Sequence, residues 1–299
     1  MRIFTLSDLH VDNPVNLLWT ELMSSMDYVN DTLIVAGDIS DDLEQLKNVL
    51  SSLRNKFKEL FFIPGNHELW VRRNSIDNSI EKFSSILNLC NSLDVKISSQ
   101  KAGEGSQNPV WIVPLHAWYV KPEEGDNSLF LPKEGEDASL SMWRDNELIK
   151  WPDFNHYPTA ADFFLEKNRV NIQREYDAPV ITYSHFLPRR ELMFPDKWNP
   201  AQMKKYDRYP AFNFSRVAGT VCLDEQIRQI SSVIHIYGHQ HRNRDRSIDG
   251  VRYVSFCLGY PNERKQGLIR DVENGPKLIW DTTTAAVAGD GQEISKMEP

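Results

Sequence analysis

The stretch Thr32-Leu-Ile-Val-Ala-Gly-Asp-Ile-Ser-Asp-Asp42 sets the frame for the rest of the chain. Leu33 to Ala36 is a continuous apolar run, rich in β-branched residues. Such a run reads as a strand covered on both faces, inside a parallel sheet. It stops at Gly37, and two carboxylates follow at a spacing of three, Asp38 and Asp41. A strand that ends in Gly-Asp places an acid at the carboxyl edge of its sheet, where open α/β folds bind ligands. The alternative is that Asp38 or Asp41 only caps the next helix.

The pattern recurs four times. Ile3 to Ser7 leads into Asp8-Leu-His10, and Leu60 to Ile63 into Pro64-Gly-Asn-His-Glu68. Val180 to Tyr183 ends in Ser184-His185, and Val233 to Tyr237 in Gly238-His-Gln-His241. Five buried strands each deliver an Asp, Asn or His just past the end. Parallel strands share a direction, so the five ends are expected to converge. Oxygen and imidazole donors of this kind suit first-row metals.

Composition narrows the class. The 299 residues are 40% hydrophobic and 25% charged, ordinary values for a globular protein. The net charge of −8 argues against broad binding to nucleic acid or anionic membrane. Three cysteines without CxxC spacing (Cys90, Cys222 and Cys257) form no disulfide framework, which points to a reducing, cytoplasmic compartment. The N-terminus runs straight into a strand, with no signal-peptide pattern, and no apolar run approaches ~20 residues.

Along the chain, a helix is expected at about 16–29. A second begins at Leu43, with Leu46, Leu50, Leu53 and Phe57 on one face, and leads to the Leu60 strand. This βαβ unit predicts a right-handed crossover between parallel strands. A helix at 75–93, a strand at Val110–Leu115, a helix at 159–177 and a short helix at 224–231 follow. Ser247-Ile-Asp-Gly250 reads as a hairpin turn. Two Pro- and aromatic-rich irregular segments, 121–158 and 187–214, are candidate walls of a site, since long loops inside a compact domain are usually functional. One domain is expected over 1–281, with 282–299 as a flexible tail.

The strand-end residues Asp8, His10, Asp38, Asn66, His185, His239 and His241 carry donors enough for two metal ions. Two ions ~3.5–4 Å apart can clamp an in-line displacement at phosphorus. Asp38, from the middle of the set, is the natural bridge. The mixed oxygen and nitrogen company fits iron, manganese or zinc better than calcium or magnesium. His116 and Arg189 are candidate substrate contacts. Packing is the competing role for the first and surface charge for the second. His235 sits mid-strand and reads as a core residue, and His156 as solvated.

The set Asp8-x-His10, Gly37-Asp38-x-x-Asp41, Gly65-Asn66-His67-Glu68, Ser184-His185 and Gly238-His239-x-His241 resembles the calcineurin-like metallophosphoesterase superfamily. All five motifs stand in order within about Met1 to Tyr260. The resemblance implies a four-layer α/β/β/α sandwich of the metallo-dependent phosphatase type, with the long loops walling the site. It implies a dinuclear centre with a bridging hydroxide. Asp8, His10 and His241 would hold one metal, Asn66, His185 and His239 the other, and Asp38 would bridge. It makes His67 a catalytic group facing the phosphate, oriented by Asp41.

Two departures refine the expected subgroup. Protein Ser/Thr phosphatases of this superfamily read Gly-Asp-x-x-Asp-Arg-Gly, and the Arg contacts phosphate. Here Asp42 stands in its place. Purple acid phosphatases carry a tyrosine ligand, and position 41 is Asp. The expectation is therefore a phosphoric ester hydrolase acting on small phosphodiesters or phosphomonoesters. A protein phosphatase and a non-catalytic scaffold of the same fold stand as the alternatives.

Overall fold

A computed structural model describes residues 1–73, 75–154, 156–195 and 209–284. Its centre is two sheets packed face to face. The first contains β1 (Arg2–Leu6), β2 (Thr32–Val35) and β3 (Glu59–Phe62), all parallel. The second contains β4 (Gln100–Ala102), β5 (Val110–Pro114), β6 (Val180–Tyr183), β7 (Ser232–Tyr237), β8 (Arg244–Ile248) and β9 (Val251–Ser255). Its order is β4-β5-β6-β7-β9-β8, with β5, β6, β7 and β9 parallel and both edge strands antiparallel. The last strand, β10 (Lys277–Asp281), returns to the first sheet and pairs antiparallel with β1.

The parallel strands divide between two sheets, as the α/β/β/α sandwich requires. Strand alternation explains why both faces of each are apolar. Ile34 and Ala36 of the quoted stretch point between the sheets, where they meet residues such as Phe61, Ile181, Tyr183 and Ile236. Leu33 and Val35 point outward, into the cluster that holds Leu46, Leu50 and Leu53 of α2 (Leu43–Lys56). Helices cover the far side of the second sheet in the same way, through Phe164, Leu223 and Ile227. The result is the four-layer arrangement, helix, sheet, sheet, helix. No helix among the described residues is long and apolar enough to cross a membrane.

Several helix bounds differ from the expected ones, each for a local reason. The first helix, α1, is Pro14–Leu22 rather than 16–29, and Asn13 caps its start. The Lys56 ammonium takes the carbonyls of Thr20, Glu21 and Met23, so the chain turns away there. The helix expected from residue 75 begins at Ser79, capped by Asn78. The helix expected over 159–177 is split into Ala160–Lys167 and Arg169–Ile172. Its break lies at Asn168, whose buried side chain bonds the backbone of His116 and the Gln226 amide. The 247–250 turn is present, with Asp249 at φ 47° and Gly250 at φ 84°, the pair of positive values that a type I′ hairpin needs. Asp42, not Asp38 or Asp41, caps α2, accepting the N–H groups of Glu44 and Gln45. Most of the expected tail, 285–299, and the 196–208 part of the second irregular segment lie outside the described residues.

Candidate metal centre

Both sheets end at one place. β1, β2 and β3 bring Asp8, His10, Asp38 and Asn66, and β6 and β7 bring His185, His239 and His241. Their donor atoms form three overlapping groups that match a metal's reach: Asp8, His10 and His241; Asp38, His185 and His239; and His10, Asp38 and His67. His10 Nε2 faces His241 Nε2 at 2.9 Å, with Asp8 Oδ1 3.4 Å from the latter. His185 Nε2 lies 3.2 Å from Asn66 Oδ1 and 3.2 Å from His239 Nδ1. One oxygen, Asp38 Oδ2, is 3.4 Å from His185 Nε2, 4.0 Å from His10 Nε2 and 3.9 Å from His67 Nε2.

The outward nitrogens decide the tautomers. His185 Nδ1 faces the Ala36 carbonyl at 2.8 Å, and His239 Nε2 faces the Val217 carbonyl at 2.9 Å. His241 Nδ1 faces the Glu263 carboxylate at 2.8 Å. A carbonyl or carboxylate only accepts, so each ring must carry its proton on that outward nitrogen. In the neutral ring the inward nitrogen is then the lone pair, aimed at its neighbours. That is the arrangement a metal ligand requires, with the orienting acceptor already in place. The donor set therefore fits metal ions.

Backbone strain marks the same residues. Asp8, His10, Asp38, His239 and His241 all have positive φ, between 42° and 72°. Side-chain residues seldom adopt this region, and it collects at functional sites. Close approach explains two glycines as well. A Cβ on Gly65 would meet the His185 ring at 2.8 Å and collide with the Asp38 carboxylate. One on Gly238 would meet Asp8 Oδ2 at 2.8 Å.

Charge is concentrated here. Burial raises the pKa of Asp38, but His185, His67 and His10 outweigh it and hold the carboxyl well below the usual range. Burial lowers His185, yet Asp38 lifts it to about 9, and Asp8 and Glu263 lift His241 to about 10 in the same way. His239 is pushed down to about 3 by burial and by the neighbouring His185. Burial also pushes His67 below its ordinary value, against the pull of Asp38.

His67 occupies the mouth. Its ring lies against Trp70, with centroids 3.7 Å apart, and edge-on to His10 at 4.6 Å. Its side chain is 15% exposed, against 2% for Asp38. The expected pairing with Asp41 is not made. The Asp41 carboxylate is fully buried and held by Arg72 through two bonds of 2.6 and 2.9 Å, with Arg73 at 3.3 Å. The nearer carboxylate to His67 is Asp38, which also accepts the His67 backbone N–H at 3.0 Å.

The two candidate substrate contacts are placed otherwise. Arg189 is committed to Glu191, Asp224 and Asp249, at 2.6, 3.2 and 3.1 Å, all outside the donor set. His116 packs edge-on to Phe83, and burial pushes it down to about 4. The hollow it shares with His185 measures about 10 Å³, room for a water and not for a substrate group. His235 is buried between the hydroxyls of Thr182 and Ser184, at 2.8 and 3.0 Å, as a core residue should be. The irregular segments do reach the centre, since Trp143 and Phe214 both pack against the His239 ring.

Four contributors escape sequence reasoning. Glu263 orients His241, and Asp145 bonds the Asn66 amide at 2.9 Å. Tyr260 stacks on His10 with centroids 4.5 Å apart. Glu68 stands inside a recognised motif, but its role is visible only in three dimensions. It accepts the N–H groups of Asp38, Ile39, Ser40 and Gly65.

The family model described as calcineurin-like phosphoesterase matches residues 1–243. The chain belongs to that family, and it is a phosphoric ester hydrolase that works with a metal centre. One curated relative is the [acyl-carrier-protein] phosphodiesterase PptH of Mycobacterium tuberculosis. It is 26% identical over 281 residues, spanning 87% of this chain and 78% of that protein. The crystal structure of phosphopantetheinyl hydrolase (PptH) from the same organism shares the fold. It has a TM-score of 0.71 and 23% identity, over 96% of this chain and 98% of that one.

Proposed function

We propose that the chain cleaves phosphodiesters at two metal ions, and that its substrate is the diester joining a phosphopantetheine arm to an acyl carrier protein. The observation that carries the two-ion reading is the place of Asp38 Oδ2, between His185 on one side and His10 on the other. Asp8, His10 and His241 would hold one ion and Asn66, His185 and His239 the second, with Asp38 supplying the carboxylate between the two sets. Manganese, iron and zinc suit this donor set. The ions supply polarisation of the phosphoryl oxygens and activation of water. The substrate reading follows the activity named for the relative.

The chain's own groups do the rest. His67 lies at the mouth, beside the space above Asp38, and donates a proton to the departing oxygen. Trp70 holds its ring plane. Burial lowers the His67 pKa in the free protein, and an arriving phosphodiester anion acts in the opposite direction. Trp143 and Phe214 wall the His239 side and exclude water.

The test compares kcat/KM on manganese-loaded protein for three substrates at matched metal occupancy. These are bis(4-nitrophenyl) phosphate, a holo-acyl carrier protein followed by mass, and a phosphoserine peptide. Conversion of holo- to apo-carrier protein and turnover of the aryl diester are expected, with far lower activity on the peptide. Preference for the peptide overturns the substrate reading.

A further inference from the structure

We propose that Asp145 is a positioning residue of the metal centre, fixing which atom of the Asn66 amide faces the metal. Asp145 comes from the 121–158 insertion, at the start of the short helix Asp145–Leu148, far in sequence from every strand-end motif. Its side chain is 2% exposed. Oδ1 accepts Asn66 Nδ2 at 2.9 Å and Trp70 Nε1 at 2.6 Å, and Oδ2 accepts the Tyr119 hydroxyl at 3.3 Å. The inference rests on the reading of Asn66 as a metal ligand.

The physical argument is one of donors and acceptors. An amide rotated by half a turn presents NH2 where its oxygen was, and NH2 cannot ligate a cation. A carboxylate accepts only, so Asp145 forces Nδ2 toward itself. Oδ1 is then turned to the opposite side, where it meets His185 Nε2 at 3.2 Å. Trp70 bonds the same Asp145 oxygen, which fixes the carboxylate plane. The insertion is in turn stitched to the core just after Asp145. Leu148 O accepts Val71 N–H at 2.9 Å, and Lys150 O accepts Ser79 N–H at 2.8 Å. The insertion thus carries part of the metal centre's outer support and does more than wall a cleft.

The test is calorimetric titration of metal-free protein with Mn²⁺. Asp145→Ala should bind one ion 10–100-fold more weakly, the scale on which outer partners of ligands act, and leave the other ion unchanged. Asp145→Asn should restore most of that affinity, because its carbonyl can accept both N–H groups. Tyr119→Phe, which removes an Asp145 partner remote from Asn66, should titrate as wild type. Asn66→Ala should weaken the same ion as Asp145→Ala, and the double variant no further. Wild-type affinity in Asp145→Ala beside a weakened Asn66→Ala overturns the proposal, as does Asp145→Asn no better than Asp145→Ala. Wild-type affinity in Asn66→Ala overturns the ligand reading instead. Should Asp145→Ala fail to fold, the wild-type protein decides by amide exchange. Mn²⁺ loading is expected to slow exchange across residues 145–149, and exchange there indifferent to Mn²⁺ overturns the proposal.

Discussion

The Glu68 carboxylate ties the turn that carries Asp38 to the turn that carries Asn66. Its Oε2 accepts the Asp38 N–H at 2.8 Å and the Gly65 N–H at 2.7 Å, while Oε1 takes Ile39 and Ser40. Two neighbouring strand ends are thereby held at a fixed separation, with Asp38 at a positive φ that it would not keep alone. Glu68→Gln replaces one acceptor with a donor that faces backbone N–H groups. A loss of at least ~2 kcal/mol of stability is expected, because hydrogen bonds to charged groups are worth about that much each. Urea unfolding of the metal-free proteins measures it. An unchanged midpoint would remove Glu68 from the account.

Asp38→Asn should lose metal and activity together, since it takes away the central negative charge that His185, His67 and His10 share. It should cost more than Asn66→Ala, which removes a neutral donor on one side only. Metal analysis decides the point. Two tightly bound ions with full turnover in Asp38→Asn would contradict the bridging role.

His67→Ala should keep the metals and the fold. Its rate on esters with poor leaving groups should fall by roughly 10²–10⁴, the usual scale of general acid catalysis. Activated aryl esters need less protonation and should suffer less. An equal loss on both would remove His67 as the proton donor. Asp41→Asn should behave differently, because its carboxylate serves Arg72 and Arg73. It should lower thermal stability without reproducing the dependence on leaving group.

Buried His235 predicts a component of acid sensitivity. Burial alone pushes its pKa down to about 3, against an ordinary value near 6.5 in the unfolded chain. The unfolded state therefore binds the proton first, and stability falls as the pH drops below the unfolded value, until the folded group titrates too. The expected loss is about 2 kcal/mol between about pH 7 and pH 5. His235→Gln, which does not titrate, should flatten that slope. Parallel stability–pH curves for the two proteins would falsify the assignment.

How much of this was legible in the chain itself depends on the range of the interaction. The strand at Leu33–Ala36 and the amphipathic helix from Leu43 declare themselves through apolar periodicity, a local property. The candidate donors at the strand ends were legible because Asp, Asn or His follows each of five apolar runs. The family followed from the order of five such motifs.

Tertiary structure decided what local pattern does not encode. That the five ends belong to two sheets depends on pairing across the chain, as when β10 returns to β1. Asn168 breaks a continuous helical pattern because His116 and Gln226 reach it from elsewhere. Arg72 takes Asp41 from His67, and Arg189 goes to Asp224 and Asp249, because a charge pairs with whatever the fold brings nearest. Asp145 and Glu263 carry no signal of their own. A lone acid in a loop comes to hold a candidate donor only when packing sets it against that side chain. The sequence by itself determined the elements and the chemical donors, since both are written in neighbouring residues. Which donors meet, and which acceptor holds each ring, was settled only by contacts between residues far apart in the chain.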